Sequence, residues 1–377
     1  MTREPIFAIE ATDGDARAGW LHTAHGRVPT PLFMPVGTQG AVKALVPHEL
    51  EAAGVHMVLG NTYHLHLRPG EQVVAALGGL GRFMGWDGPV LTDSGGFQVF
   101  SMAKLRRVTD EGVEFQSHID GDSLMLTPER ATEIQNVLGA DVIMAFDECV
   151  PYPCERDRAA QAMERTVAWA RRCQAGHGRP ADQALFAIVQ GSVFDDLRRE
   201  CADRLVDMGF PGYAVGGLSV GEGDDLMYRV LESTVPRLPA AKPRYLMGVG
   251  TPANLVECVA RGVDLFDCVL PTRNARGACA FTARGKVRLR NRRYRRDRRP
   301  IEPGCACRAC RRFSRGALRH LFLAREIGAA VLTSIHNVTF YQRLMARCRQ
   351  AIVEGRYAEF RSAFHERYRQ TEDLASS

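Results

Sequence analysis

The chain has 377 residues, 45% of them hydrophobic, and a formal net charge of +6, so it can form one large domain or two ordinary ones, and a disordered or fibrous protein is excluded. No apolar stretch is long enough to span a bilayer, so no membrane association is expected. The first residues lack a signal-peptide pattern and the last lack a lipidation motif, which predicts a cytoplasmic protein.

Short apolar runs of strand length recur along the chain, with helical spacers between them. Their continuous rather than alternating apolarity is typical of strands buried on both faces, as in a parallel sheet covered by helices. The eight predicted strands are 31–35, 56–60, 89–92, 141–146, 184–189, 212–216, 244–247 and 263–266.

The helical spacers begin at recognisable signals, and a Thr-Pro pair starts two of them. Helices are predicted over 127–138, 156–174, 195–208 and 251–260. Eight strand–helix units in one chain predict an α/β fold of the (β/α)8 TIM barrel type. The alternative is an open doubly wound sheet, but no Gly-x-Gly-x-x-Gly turn follows an early strand.

Two insertions interrupt this pattern. Residues 112–126 alternate in polarity and turn at Asp120 and Gly121, which predicts a β-hairpin. Residues 279–336 hold a basic run and a cysteine cluster, and a helical segment over 338–364 follows. We therefore predict one barrel domain over 1–377 with a basic zinc-binding subdomain inserted at 279–336.

The positive charge is regional. Between positions 271 and 320 there are seventeen lysines and arginines against two carboxylates, a local balance of +15 that leaves −9 for the remaining chain. A charge run is usually a solvated face. The single sign and the density of this run instead favour a polyanionic partner, of which nucleic acid is the commonest.

One group of cysteines has metal-ligand spacing. Cys305, Cys307 and Cys310 lie within six residues, and His336 follows beyond a helix-like stretch. Three thiolates and an imidazole form a closed tetrahedral set that suits one structural Zn²⁺ per chain. The alternative of three buried free cysteines conflicts with the surrounding arginines. His320 could replace His336 as the fourth ligand.

Polar residues follow the predicted strands at the carboxyl edge, where barrel enzymes carry their chemistry. These residues are Asp93, Asp147, Gln190, Gly217, Gly248 and Asp267. A single aspartate after a strand is more often a helix cap. Three carboxylates at one mouth are better explained as acid, base and nucleophile, and a carboxylate pair flanking a sugar is typical of glycosyl transfer.

Several longer motifs are more specific than a generic barrel. They are Asp-Ser-Gly-Gly-Phe-Gln at 93–98, Ala-Phe-Asp-Glu at 145–148, Val-Gln-Gly at 189–191, Gly-Gly-Leu-Ser-Val-Gly-Glu at 216–222, Met-Gly-Val-Gly at 247–250, Phe-Asp-Cys-Val-Leu-Pro-Thr-Arg-Asn-Ala at 266–275 and the Cys-x-Cys-x-x-Cys…His set. In this order they closely resemble the bacterial tRNA-guanine transglycosylase (queuine tRNA-ribosyltransferase) family, over nearly the whole chain.

The resemblance implies a base exchange. Guanine at the wobble position of tRNAs with a GUN anticodon, those for aspartate, asparagine, histidine and tyrosine, is replaced by a 7-substituted 7-deazaguanine in queuosine biosynthesis. The exchange is a double displacement through a covalent ribosyl-enzyme intermediate and needs no organic cofactor. The resemblance assigns Asp267 as the nucleophile and Asp93 as the general acid and base.

The resemblance also assigns the base pocket. The carboxylate of Asp147 suits the N–H and amino groups of guanine, and the Gln190 amide and the Gly217 N–H suit its carbonyl oxygen. The bacterial pattern around Cys149 and Val220 implies preQ1 (7-aminomethyl-7-deazaguanine) as the incoming base. The other pocket residues are Ser94, Gly95, Gly96, Phe97, Leu218 and Met247. Phe97 and Met247 sandwich the base or, alternatively, belong to an ordinary core.

The RNA-binding segments and the homodimer rest on the resemblance alone. The predicted RNA-binding residues are Gly248, Val249, Gly250, Thr251, Pro252, Ala253, Asn254, Thr272, Arg273, Asn274, Ala275 and Arg276. The zinc insertion is expected to contribute to the dimer contact. Two alternatives remain: a non-catalytic RNA-binding homologue, which would lack the full catalytic set, and a small-molecule barrel enzyme, which leaves the basic insertion unexplained.

Overall fold

A computed structural model describes residues 5–102 and 106–368 of the chain. Eight parallel strands form a closed barrel, in which the first strand also pairs with the last, so the predicted TIM barrel is confirmed and the open sheet is wrong. The barrel strands are Leu32–Gly37, Val58–Gly60, Val90–Thr92, Val142–Met144, Ala184–Val189, Gly212–Val215, Arg244–Leu246 and Leu265–Cys268. Each lies within or overlaps a predicted apolar run.

The barrel strands are apolar on both faces because each face packs against a different layer. Phe186 and Ile188 belong to the cluster that fills the barrel, whereas Leu185 and Val189 belong to the cluster between the strands and the helices. Alternate side chains therefore point inward, as in other barrels. By the same alternation Asp267 faces the barrel interior, two residues after the inward-facing Leu265.

Helices surround the barrel, and the predicted start signals are confirmed where their geometry is visible. Thr127 caps its helix by accepting a hydrogen bond from the Arg130 N–H at 3.2 Å, and Thr251 forms a capping box with Asn254. The α-helices are Pro47–Ala52, Thr62–Leu67, Glu71–Ala76, Gly79–Met84, Gly96–Met102, Pro128–Leu138, Arg156–Gly176, Asp195–Asp207, Asp224–Thr234, Pro252–Val259, Leu270–Arg276, Arg308–Arg312, Arg315–Leu323, Ile327–Val353 and Tyr357–Tyr368, with short 3₁₀ helices at Val235–Arg237 and Arg292–Arg296.

An antiparallel sheet that the sequence analysis missed covers the amino-terminal end of the barrel. It consists of Phe7–Asp13, Ala16–Thr23 and Gly26–Thr30. Leu21 and Val28 of this sheet join the cluster inside the barrel, and Arg17 forms a buried ion pair with Asp264. The sheet therefore closes the end of the barrel opposite to the predicted site.

The predicted β-hairpin is confirmed and extended. Val113–Gln116 and Ser123–Leu126 pair in antiparallel fashion, and a third strand, Arg106–Val108, pairs with the first of them. That edge strand was missed because it is short and begins with two exposed arginines. An exposed edge strand carries no continuous apolar run by which the sequence could reveal it.

The carboxyl-terminal insertion contains a second hairpin, Cys279–Thr282 with Gly285–Arg288, followed by three helices that begin at residues 308, 315 and 327. The helical segment predicted over 338–364 is wrong in its bounds, because Ile327–Val353 is one continuous helix and Tyr357–Tyr368 is another. His336 lies inside the first of these, so position 336 is not the end of an element.

None of the helices in the described ranges combines the length and the apolarity needed to cross a bilayer. Residues 1–4 and 369–377, on which the expectations about a leader and a lipid anchor partly depend, lie outside the described residues.

Candidate active site and metal centre

Asp93 directly follows the barrel strand Val90–Thr92 and is buried at the carboxyl-terminal mouth. Its carboxylate accepts hydrogen bonds from Asn61 Nδ2 at 2.5 Å, from the Thr62 N–H at 2.8 Å and from Gln98 Nε2 at 2.6 Å. Burial raises the pKa of Asp93 to about 6, and the neighbouring negative charge of Asp267 acts in the same direction. Asp93 can therefore gain and lose a proton near neutral pH.

Asp147 contacts Ser94, the residue after Asp93, and is also buried. Its Oδ1 accepts from the Ser94 hydroxyl at 3.0 Å and its Oδ2 from Gln190 Nε2 at 2.7 Å. Burial raises the pKa of Asp147 to about 6. The two predicted base-binding side chains, Asp147 and Gln190, are thus brought into direct contact by neighbouring strands.

Asp267 lies on the last barrel strand, Leu265–Cys268, and is half-buried. Its Oδ1 accepts from the Tyr245 hydroxyl at 2.6 Å and from the Gly248 N–H at 2.7 Å. Burial raises the pKa of Asp267 as well, while these two donors oppose the rise. Because both donors bind Oδ1, they fix the carboxylate and leave Oδ2 available.

Two glycines allow close packing around the pocket. A Cβ on Gly96 would lie 2.8 Å from the Asp147 carbonyl oxygen, and one on Gly217 would lie 2.5 Å from Gln190 Oε1. Gly217 also has a φ of +64°, in the left-handed region. Gln190 Oε1 is buried without a hydrogen-bond partner among the described residues. The Gly216–Gly217 turn and the Gln190 amide therefore form one tightly packed wall.

The remaining predicted pocket residues differ in exposure. Phe97 is 50% exposed, so it is not an ordinary core residue. Met247 is partly buried and packs on the cluster inside the barrel. Leu218 and Cys149 are buried, and burial raises the pKa of the Cys149 thiol to about 12, which keeps it protonated. Ser94 is buried too, and Gly95 has a φ of +80° at the turn.

The predicted RNA-binding segments flank the mouth but are not uniformly accessible. Gly248, Arg273 and Arg276 are exposed. Thr251, Ala253 and Asn274 are half-buried. The buried members are Val249, Gly250, Pro252, Asn254, Thr272 and Ala275. The Asn254 side chain, for example, accepts from the N–H of the helix cap Thr251 and donates to the Tyr228 hydroxyl at 3.0 Å, so it shapes the segment from inside.

The cysteine cluster is assembled as a ligand set. The ligand atoms of Cys305, Cys307, Cys310 and His336 all lie within 4.8 Å of one another. His336 Nδ1 faces the three sulfurs at 3.7, 3.7 and 3.3 Å, and Nε2 is 2.8 Å from the Phe281 carbonyl oxygen. A hydrogen bond from Nε2–H to that carbonyl leaves Nδ1 free to bind a metal. These four residues could therefore hold a metal ion.

His320, the alternative fourth ligand, is exposed on the helix Arg315–Leu323 and does not belong to this cluster. The structure therefore selects His336 over His320. The helix Ile327–Val353 carries His336. The cluster therefore connects that helix to residues 305–310, which we call the cysteine loop.

Comparison with known proteins agrees with this geometry. A family model described as Queuine tRNA-ribosyltransferase matches residues 12–370. A queuine tRNA-ribosyltransferase of Symbiobacterium thermophilum is 57% identical over 368 residues, which is 98% of this chain and 90% of that protein. One from Solidesulfovibrio magneticus is 53% identical over 371 residues, 98% of this chain and 99% of that protein. The chain belongs to the queuine tRNA-ribosyltransferase family.

Membership of the queuine tRNA-ribosyltransferase family confirms the predicted resemblance, and the prediction of a pentosyltransferase enzyme is confirmed with it. Sequence reasoning assigned no role to three side chains that contact the predicted catalytic carboxylates: Asn61, Gln98 and Tyr245. Asn61 directly follows a barrel strand, so the rule that located Asp93 could have found it. Tyr245 lies within its strand, and no sequence signal separates it from other core residues.

Proposed function

We propose that this enzyme exchanges guanine at the wobble position of tRNAs with a GUN anticodon for preQ1, as a tRNA-guanine transglycosylase in queuosine synthesis. The observation that carries the proposal is the meeting of Asp93, Asp147 and Asp267 at one barrel mouth, where hydrogen-bond donors hold each carboxylate and Oδ2 of Asp267 is left available. A non-catalytic homologue would have no need of this complete set.

In the proposed double displacement Asp267 is the nucleophile. The Tyr245 hydroxyl and the Gly248 N–H hold Oδ1, so Oδ2 attacks the anomeric carbon of the ribose as the bond to guanine breaks. The ester that forms is resolved when the incoming base attacks the same carbon from the face that guanine left.

Asp93 moves the proton. With a pKa of about 6 it is partly protonated near neutral pH, so it can give a proton to the departing guanine. The resulting carboxylate is then the base that takes the ring proton of the incoming preQ1. Asn61 and Gln98 both donate to Oδ2 and stabilise the carboxylate between these two steps.

The proposed base pocket forms hydrogen bonds with both polar edges of the guanine ring system. Asp147 would accept from the ring N–H and the amino group, for which it exchanges its present bond to Gln190. The Gln190 amide and the Gly217 N–H would then donate to the base carbonyl. The bacterial pattern around Cys149 and Val220 supports preQ1, with its small aminomethyl group, over a base with a bulkier substituent.

Zinc is the proposed metal, one per chain, because three thiolates and an imidazole are the ligands that it prefers in structural sites. When bound, the zinc would cross-link the insertion and would take no part in the chemical step. Arg308 pairs with Glu49, so the cysteine loop is also attached to the helix Pro47–Ala52 of the barrel. We further propose a homodimer with the insertion near its interface, a cytoplasmic location and no organic cofactor.

The direct test of the proposal is incubation with labelled guanine and unmodified tRNA bearing a GUN anticodon, with no other cofactor. Label should enter the tRNA, and preQ1 should displace it. The matched control is the same tRNA with adenine in place of the wobble guanine. Label entering both tRNAs, or neither, would contradict the proposed exchange.

The activity should fall in acid, at a pH well above that at which an exposed aspartate is protonated. Burial raises the pKa of Asp93 and of Asp147 to about 6, and both must be ionised when a free base enters. The value of kcat/KM for guanine should therefore decrease as the pH falls through about 6. The measurement is a pH profile on enzyme shown by circular dichroism to stay folded. A profile that stays flat to about pH 5 would assign these roles elsewhere.

The KM for tRNA should rise steeply with salt, while that for preQ1 stays nearly flat. The short helix Arg292–Arg296 exposes four arginines, which would bind phosphates and release counter-ions. Replacing Arg292, Arg293, Arg295 and Arg296 by alanine should reduce the slope of log affinity against log salt by about 3. Turnover at saturating tRNA should be largely kept.

The control for this experiment removes the same charge elsewhere. Arg171, Arg199, Arg229 and Arg237 are exposed and lie outside the insertion. Their replacement by alanine should leave the salt slope close to that of the wild type. A KM for tRNA that does not depend on salt would mean that the insertion does not bind the RNA.

A further inference from the structure

Arg198 is a fully buried arginine behind the proposed base pocket. It lies on the helix Asp195–Asp207 and donates only to backbone carbonyls. Nε binds the Ser192 oxygen at 2.7 Å, and Nη1 binds the oxygens of Val189 at 2.9 Å and of Gly216 at 2.8 Å. Nη2 is 3.4 Å from the Gly217 oxygen. One guanidinium thus joins the ends of the two strands that carry Gln190 and Gly217.

The guanidinium of Arg198 contacts backbone carbonyls and no carboxylate among the described residues, and the charge of Glu222 acts on it without a direct contact. Burial lowers its pKa to about 10, so the side chain is still charged at neutral pH. A buried charge that no carboxylate contacts lowers the stability of the fold. An apolar side chain would avoid that cost, so the charge is more readily explained by what it does to the neighbouring pocket.

The carbonyls of Gly216 and Gly217 belong to peptide units whose N–H groups face away from Arg198. The Gly216 carbonyl shares its peptide with the Gly217 N–H, and the Gly217 carbonyl shares its peptide with the Leu218 N–H. In a trans peptide the C=O and the N–H point in opposite directions. By holding the carbonyls on its own side, Arg198 turns the Gly217 N–H away from itself, towards the side where the base is proposed to bind.

The charge also strengthens that N–H as a donor. A hydrogen bond from a cation to a peptide carbonyl polarises the peptide, and the N–H of the same peptide becomes a better donor. When the bond between guanine and ribose breaks, negative charge spreads to the carbonyl oxygen of the leaving base. A fixed, polarised donor at that oxygen stabilises the transition state without reorganisation.

We propose that Arg198 is a positioning residue that orients and polarises the Gly216–Gly217 peptide for recognition of the base carbonyl. This inference rests on the proposed function, in which the Gly217 N–H donates to that carbonyl. Arg198 also binds the Val189 carbonyl, at the end of the strand that precedes Gln190, and so fixes the backbone from which the Gln190 side chain extends.

The test compares guanine with 6-thioguanine, which keeps the N–H and amino groups but replaces the carbonyl oxygen by sulfur, a weaker acceptor. Dissociation constants are measured by calorimetry for the wild type, Arg198→Lys and Arg198→Gln. Lysine keeps the charge but not the fork of donors, and glutamine keeps two donors without the charge. Guanine should bind about tenfold more weakly to each variant, and 6-thioguanine within about twofold of the wild type.

The control is Arg199→Lys, at the exposed neighbour on the same helix, which should leave both constants unchanged. Thermal melting selects the folded variants, and retained binding of 6-thioguanine shows that their pocket is intact. If a folded variant loses both ligands equally, or neither, Arg198 has only a structural role and the inference is overturned. If the wild type itself binds the two bases equally, the proposed base recognition fails, and the inference fails with it.

Discussion

Replacing Asp267 by asparagine is expected to lower turnover by about 10⁴-fold or more, while tRNA binds within about tenfold of the wild-type affinity. The substitution keeps the shape of the side chain and a single acceptor for the Tyr245 hydroxyl and the Gly248 N–H. It removes the negative oxygen that is proposed to attack the ribose. Because the proposed RNA-binding surface is untouched, tRNA binding and turnover should separate in this variant.

The measurement is trapping of a tRNA adduct that survives denaturation. The wild type should form it and Asp267→Asn should not. Asp93→Asn is the informative comparison, since it keeps the nucleophile and loses the group that takes a proton from the incoming base. That variant should still form an adduct, more slowly because residue 93 no longer gives a proton to the departing guanine, and should resolve it slowly as well. The reverse pattern, an adduct on Asp267→Asn and none on Asp93→Asn, would make Asp93 the nucleophile.

The barrel could be predicted because its strands are buried on both faces, which forces a continuous apolar run in the sequence at each of them. The site was located by the same pattern. A strand of a barrel ends at the mouth, so the polar residue that follows it, such as Asp93 or Gln190, lies at the mouth as well. The position of a side chain at the end of a strand thus needs no knowledge of its contacts.

The features that the sequence analysis missed depend on contacts between residues that are distant in sequence. The strand Ala16–Thr23 carries polar residues among apolar ones, and its contacts with Asp264 and with the cluster inside the barrel show that it covers the barrel. The Tyr245 hydroxyl contacts Asp267 because the register of its strand turns it that way. Arg198 resembles any arginine on an outer helix until its burial is known. The pattern of apolar and polar residues predicts where a residue lies along a strand, but it does not predict which residues its side chain contacts.

Loss of the metal should unfold the insertion and leave the base pocket intact. The four ligand atoms join the cysteine loop to the long helix Ile327–Val353, and the His336 ring joins both to the hairpin through Phe281. Structural zinc sites contribute about 10–16 kcal/mol of binding free energy, most of which holds the fold together. A strong chelator should therefore expose the insertion to proteolysis and weaken tRNA binding, with the affinity for guanine nearly unchanged.

His336→Ala and His320→Ala separate the ligand from a bystander. The first should lose tight binding of one equivalent of zinc, since three thiolates alone leave the tetrahedral site incomplete. The second should keep it, because His320 is exposed and outside the cluster. Metal content after dialysis, measured by mass spectrometry, decides between them. Zinc retained by His336→Ala and lost by His320→Ala would show that the ligand set changes when the metal binds. A loss of guanine affinity in step with zinc would instead place the metal's influence at the barrel mouth.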